Sequence, residues 1–247
     1  INNNPFSQKH VLNISGGTNK ARIYTSFTYS DQEGISIGDN RKDYAGRINT
    51  NFSLMDGLLD VKTHAEYREA GRDRRISNGN YYMALWLNPT EKVYDPMNAS
   101  GFNVITNRDR DYNPVADVML KTNYGKDKWT LADASFKLNL TSDISATATV
   151  GYQGKQYQNY RYVSAYHKSS VENNRRGEAY HGFSKDDDVL FESYANYTKT
   201  FNKKHNFNAV AGYSFWETNG ENFNMTNWDF PVEALGPWDM GSGSYIS

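Results

Sequence analysis

The sequence predicts an all-β protein: a segment of about eight strands of a transmembrane antiparallel β-barrel, with long external loops. Three observations carry that prediction. The first is strand length: KDYAGRINTNFSLMDGLLDVKTHAEYREAGR, residues 42 to 72, alternates apolar and polar side chains on both sides of the break Met55-Asp56-Gly57. Each arm runs about eleven residues or more, beyond the ~5 to 6 of a globular strand and enough to cross a bilayer when tilted. The second is composition, which joins a low 38% hydrophobic content to 15% aromatics and 19 Tyr. A wall that meets lipid on alternate positions and water on the others has that profile. The third is that short turns alternate with long connections along the chain, the layout of an outer-membrane barrel with tight turns on one side and long excursions on the other.

The hairpins follow in order. HVLNIS and ARIYTSFTYS flank the turn GGTNK, with Leu12, Ile14, Ile23, Thr25, Phe27 and Tyr29 on one face. In the second hairpin Tyr44, Gly46, Ile48, Thr50, Phe52 and Leu54, then Leu59, Val61, Thr63, Ala65 and Tyr67, share the apolar face. TLADASFKLNLT and ISATATVGYQGKQYQNYRY turn around Ser142-Asp143, and VLFESYANYTKTF and HNFNAVAGYSFWE turn around Asn202-Lys203-Lys204. A period of two assigns the opposite face to polar groups. Arg22, Arg47, Lys62, His64, Glu66 and Arg68 are therefore expected to face a wet lumen while the apolar set faces lipid.

The long connections are expected at about residues 71–127 and 164–187. Within the first, NGNYYMALWLNP and NPVADVMLKTNYG return apolar residues at three- and four-residue intervals, which predicts two short helices, one entered at Asn113-Pro114. The loop aromatics Tyr81, Tyr82, Trp86, Tyr94 and Tyr112 are the candidate contacts for substrate or partner, because flat apolar faces beside Asn and Asp suit sugar or peptide recognition. Loop packing or an interfacial girdle would use the same residues.

Other chemistry finds little footing. A formal net charge of -1 argues against a nucleic-acid partner. There is no cysteine, and the five histidines show no paired metal spacing, so no metal and no cofactor is expected. Asp186-Asp187-Asp188 lacks the spaced oxygen ligands of a calcium loop and reads as a charged loop before a strand. Asp60 and Glu66 lie on one strand face, which does not oppose two carboxylates across a substrate, and no enzyme is expected. No run reaches the ~20 apolar residues of a membrane helix. Both ends, INNNPFSQKH and FPVEALGPWDMGSGSYIS, read as cut from something longer.

Several pieces together resemble the SusC/RagA group of TonB-dependent outer-membrane transporters. They are Asn13 to Thr18 (NISGGT), Asp31-Gln32-Glu33-Gly34, the pair Gly46-Arg47, MALWLNP followed by VYDP, NPVA, and SYANYTKTFNKKHNFNAVAGYSF. Their order and spacing carry the resemblance over nearly the whole chain, thinning after about residue 220. The resemblance implies a barrel of the 22-stranded class plugged by an N-terminal domain and located in the outer membrane. It also implies import of a glycan or an oligopeptide, a SusD-like surface lipoprotein as partner, and energy through TonB. The plug, the TonB contact and the remaining strands would lie outside these residues, all of which, 1–247, form part of one barrel domain. A passive porin or small eight-stranded barrel, and a soluble glycan-binding β domain, are the alternatives.

Overall fold

Alternation at this length has one main outlet, a ladder of long antiparallel strands. The computed structural model describes residues 2–105 and 112–246. It contains β1 (Ser7–Gly17), β2 (Ala21–Glu33), β3 (Asp39–Leu54), β4 (Leu59–Arg74), β5 (Lys121–Asn139), β6 (Ile144–Val163), β7 (Glu178–Phe201), β8 (His205–Trp228) and the short β9 (Tyr245–Ile246). They form one nine-stranded sheet in sequence order, every neighbour antiparallel. Three short helices lie in the connections: α1 (Asn78–Trp86), α2 (Pro114–Met119) and α3 (Lys168–Glu172). No helix among the described residues is long and apolar enough to cross a membrane.

One edge of the sheet carries the tight turns. At Met55-Asp56-Gly57-Leu58, the Leu58 N–H donates to the Met55 carbonyl at 3.1 Å while Asp56 and Gly57 hold φ of 53° and 91°. Lys204 closes onto Phe201 in the same way across Asn202 and Lys203, both with positive φ. Paired positive φ values match the right-handed twist of the flanking strands, which is why such hairpins stay short.

The register fixes the two faces. Ile23, Thr50, Thr63, Ala134, Val150, Phe191 and Phe215 stand in one cross-strand row. The adjacent row reads Ala21, Phe52, Val61, Phe136, Ala148, Ser193 and Tyr213. Nothing among the described residues covers this side: Phe27, Phe136, Val150 and Phe215 are 55%, 44%, 48% and 44% exposed. A soluble domain buries so large an apolar face. On β4 the band runs from Leu59 to Tyr67, roughly 27 Å along the strand at ~3.4 Å per residue, or roughly 20 Å once tilted by ~40°. That is close to the ~25 Å apolar band of an outer-membrane barrel. The chain is a segment of such a wall, and the only cluster of buried apolar side chains among the described residues (Tyr162, Ala179, Phe230, Met240) sits at the loop end of the strands.

The strands reach further than the sequence pattern suggested. β4 continues to Arg74 and β5 begins at Lys121, so the first long connection is residues 75–120 rather than 71–127. The second is 164–177, because β7 begins at Glu178. Asp186, Asp187 and Asp188 accordingly lie inside a strand, opposite Lys155, Gly154 and Gln153, and not in a loop. Above the apolar band both faces are wet, so alternation fades while the backbone ladder persists. The C-terminal stretch holds two 3-10 turns and the β9 pairing with Asn227 and Trp228. The two predicted helices are present, α2 ending before KTNYG, whose residues are strand.

Candidate functional site: polar wall and braced loop cap

Residues directly opposite in an antiparallel ladder share a face. Arg22, Asn51, Lys62, Ser135 and Thr149 form one row, and Arg47, Glu66, Leu131 and Gln153 another, on the side away from the apolar band. His64 lies between them, and Arg68 follows Glu66 along β4, so all six residues expected on the lumen side occupy one face. They are tied together. Arg47 lies over the Tyr24 ring at 5.5 Å, and Arg68 lies over Trp129 at 5.1 Å while donating to Asp43 at 2.6 Å. His64 Nδ1 is 3.1 Å from Asp133 and its Nε2 is 3.8 Å from Glu66. Paired charges and cation–π contacts make a polar wall that is firm without being dry.

The opposite edge of the sheet is a cap of loops joined by a chain of polar contacts. Its centre is Asp117 on α2, whose carboxylate accepts from Asn80 of α1 at 2.6 Å, from Lys121 at 2.5 Å and from His167 Nε2 at 2.8 Å. The His167 tautomer follows from its other nitrogen, which accepts the Ser169 backbone N–H at 3.1 Å and so leaves the proton on Nε2. From α1 the chain continues through the Tyr81 hydroxyl to Ser36 in the connection between β2 and β3. On the other side Ser164 donates its N–H to Leu120 O, and its hydroxyl to Glu233 at 2.8 Å. Four connections thus hold one another. Burial opposes ionisation of Asp117, but the hydrogen bonds from His167, Asn80 and Lys121 outweigh it and keep the carboxyl well below its ordinary range.

Ser169, His167 and Asp117 superficially line up as nucleophile, base and orienting acid, with Ser169 Oγ 2.8 Å from His167 Nδ1. That nitrogen is already engaged by the backbone N–H of the same serine, as the cap of a five-residue helix. The arrangement is a tie between loops.

The five aromatic candidates do not converge. Tyr81 is held by Ser36, Tyr82 stacks on Trp86 at 5.7 Å along α1, and Tyr94 pairs with Phe102 at 5.5 Å. Only Tyr112 lines the large cavity of the cap, about 720 Å³, together with Tyr166, His167 and Asp117. Burial, with the Asp117 charge adding to it, raises the Tyr112 phenol above its usual pKa. The residues that organise the cap, Asp117, His167, Asn80 and Glu233, escape a pattern reading because their partners are far apart in sequence. Asp117 and Lys121 alone left a local trace, an i,i+4 pair.

No family model matches the chain, and no curated protein matches it. Solved structures do. The RagAB peptide importer in its closed-closed state aligns with TM-score 0.77 and 18% identity over 98% of this chain and 28% of that one. FpvA of P. aeruginosa bound to a heterologous pyoverdine aligns with TM-score 0.58 and 12% identity over 98% of this chain and 30% of that one. The ferric-catecholate import receptor Fiu from E. coli K12 aligns with TM-score 0.53 and 10% identity over 90% and 33%. The chain therefore spans less than a third of the RagAB and FpvA chains it matches. At these identities the likeness concerns the fold, which is that of a wall segment of an outer-membrane β-barrel.

Proposed function

We propose that the chain is part of the wall of a TonB-dependent outer-membrane importer of an oligopeptide or a glycan, working with a SusD-like surface lipoprotein. The carrying observation is the asymmetry of the sheet: tight turns at one edge, a mutually braced loop cap at the other, and a lipid-facing band between them. Neighbouring strands pair the backbone groups of β2 to β7 along the sheet, the polar wall would line a wet passage, and the cap offers a surface to substrate and partner. On that cap Leu85 and Met97 are 89% and 93% exposed, and Tyr82 and Trp86, on α1 with Leu85, are exposed too. Exposed aromatic and Met side chains on a firm scaffold suit a protein interface. The 18% likeness to RagAB, whose name describes a peptide importer, is consistent with this reading.

The test is uptake by cells carrying the whole protein. Uptake that stops when TonB is deleted or the proton-motive force is collapsed supports active import; uptake that continues unchanged identifies a passive pore. Purification of the native complex shows whether a lipoprotein accompanies it.

A further inference from the structure

At the loop-side rim of the apolar band the outward face turns cationic. One cross-strand row there reads His10, Tyr29, Tyr44, Glu69 and Lys128, and the next one up reads Gln8, Asp31, Lys42, Gly71 and Lys126. Gly71 puts no side chain between Lys42 and Lys126, which stand two strands apart, roughly 10 Å at the ~4.8 Å spacing of a sheet. Tyr124 leans into that gap, its hydroxyl 2.7 Å from where a Cβ on Gly71 would be. Tyr124 is 39% exposed, and its hydroxyl has no hydrogen-bond partner among the described residues. Three ammonium groups and one phenol donor thus surround a single glycine.

The carboxylates of these two rows are Asp31, 3.1 Å from Lys42, and Glu69, 2.6 Å from Lys126, while Lys128 has no ion pair among the described residues. One row higher stand Glu33 on β2 and Asp73, the latter bound by Arg75. The Lys42 side chain is 55% exposed. Exposed lysine–carboxylate pairs are weak, so the lysines can turn to a stronger anion, and a lysine binds phosphate as a point charge. Below them the band is notched at Gly46, in the row Leu12, Phe27, Gly46 and Tyr67. The notch opens into a groove of about 710 Å³ walled by Leu12, Phe27, Tyr29, Tyr44 and Tyr67. Lys42 lies four residues above Gly46 on β3, roughly 13 Å at ~3.3 Å per residue. An apolar groove with cations and donors at its loop-side end matches an acyl chain carrying an anionic headgroup.

We propose that Lys42, Lys126, Lys128 and the Tyr124 hydroxyl form a phosphate cradle that seats a phosphorylated glycolipid of the outer leaflet, with an acyl chain in the Gly46 groove. This needs the lipid-facing band and not the import reading. The test takes full-length protein, stripped of lipid in detergent with EDTA so that no divalent cation bridges a carboxylate to the lipid. It is titrated with bis-phosphorylated lipid A and with the same lipid dephosphorylated, and bound lipid is counted by native mass spectrometry. The phosphorylated lipid binds about tenfold or more tightly. Lys42→Ala and Lys126→Ala each weaken it about three- to fivefold, the effect of one lysine at a charged lipid surface, and Tyr124→Phe weakens it about threefold. Asp31→Asn frees Lys42 and tightens binding, whereas Lys203→Ala, at the turn edge, leaves it unchanged. Gly46→Val fills the groove and weakens both lipids; a Cβ there meets only the Phe27 ring, at 3.8 Å, so the strand accommodates it. Unfolding midpoints equal to the parent's separate lost binding from lost fold. Equal affinity for the two lipids overturns the proposal, as do lysine variants that bind like the parent. Lysine variants that change self-association and leave lipid binding intact assign the face to a second copy and overturn it too. If the cradle binds as described while uptake ignores TonB, the import reading falls and the cradle stands.

Discussion

The Tyr67 hydroxyl donates a hydrogen bond of 2.9 Å to Glu69, two residues further along the same outward face of β4, and Lys126 pairs with that carboxylate at 2.6 Å. The unit recurs twice. Tyr29 donates to Asp31 at 3.2 Å with Lys42 at 3.1 Å, and Tyr152 donates to Asp187 at 2.7 Å with Lys185 at 2.5 Å. Each tyrosine ends an apolar run and each ion pair begins a wet one, which is how an amphipathic ring marks a lipid–water boundary. The boundary also sits one row lower on β6 than on β4, as tilted strands require.

That boundary sets the cost of charge by depth. Ile48 lies mid-band and Glu69 above it. Ile48→Arg is expected to cost about 2–4 kcal/mol and Glu69→Ala about 0–1 kcal/mol, in line with depth-dependent values for barrel surfaces. Reversible guanidinium unfolding of the full-length protein in liposomes measures both. Equal costs at the two positions would remove the boundary from where the tyrosines place it.

Asp117 ties α1, α2 and the connection after β6. Asp117→Ala strands His167 and Lys121 without their partner and is expected to cost about 1.5–3 kcal/mol locally, the range for hydrogen bonds to charged groups. Hydrogen exchange across residues 75–105 and 164–177 reads this as faster amide exchange in both segments together. Exchange confined to one segment would show that the tie does not couple them.

The same carboxyl predicts a pH dependence. Its folded pKa is depressed, so its contribution is complete above the unfolded value of ~3.9 and is lost as pH falls below that. The difference in cap protection between the parent and Asp117→Asn should stay constant from pH 8 to pH 5 and shrink only under stronger acid. A difference that disappears near pH 6 would assign the coupling to a histidine.

The turn between β3 and β4 supplies a backbone prediction with its own control. Gly57 holds φ at 91°, and Gly57→Ala is expected to cost about 1–2 kcal/mol from left-handed strain. Gly16→Ala adds a Cβ that meets nothing within 4 Å and should be close to neutral. Denaturant midpoints of the two variants compare them directly.

If the cap receives the lipoprotein, Trp86→Ala and Leu85→Ala should weaken the complex while leaving barrel stability unchanged, since both side chains stand exposed at 55% and 89%. Trp is the residue type most enriched at interface hot spots, so the Trp86 change is expected to cost more than about 1 kcal/mol. Co-purification yield and surface affinity of the lipoprotein give the readout. An unaffected complex places the partner elsewhere on the cap.

Much of this architecture was legible in the chain. Alternation at Tyr44 to Leu54 and Leu59 to Tyr67 specified both faces, because a one-residue slip would turn Arg47 and Glu66 into lipid. The Asp56-Gly57 break specified the turn, and Asn113-Pro114 specified the start of α2, where the Asn113 side chain accepts from Val115 and Ala116 N–H. The upper halves of β4, β5 and β7 were not legible, since strands wet on both faces need no alternation. The candidate site was legible only in part. Arg22, Arg47, Lys62, His64, Glu66 and Arg68 share a face as the period requires, whereas Tyr81, Tyr82, Trp86, Tyr94 and Tyr112 scatter over the cap because nothing in a loop's sequence states which way it folds back.

The sequence by itself determined what is local and periodic: strand identity, the lipid face, the tight turns and the short helices. Only the tertiary structure decided which distant groups meet. Asp117 meets His167 across fifty residues, Ser164 meets Glu233 across sixty-nine, and Gly125 and Gly182 fall into one row with Asn159 and Asn224. Backbone hydrogen bonding makes the ladder whatever the side chains are, so period alone reveals it. A loop contact depends on register summed over several strands and on chain paths that no short pattern encodes.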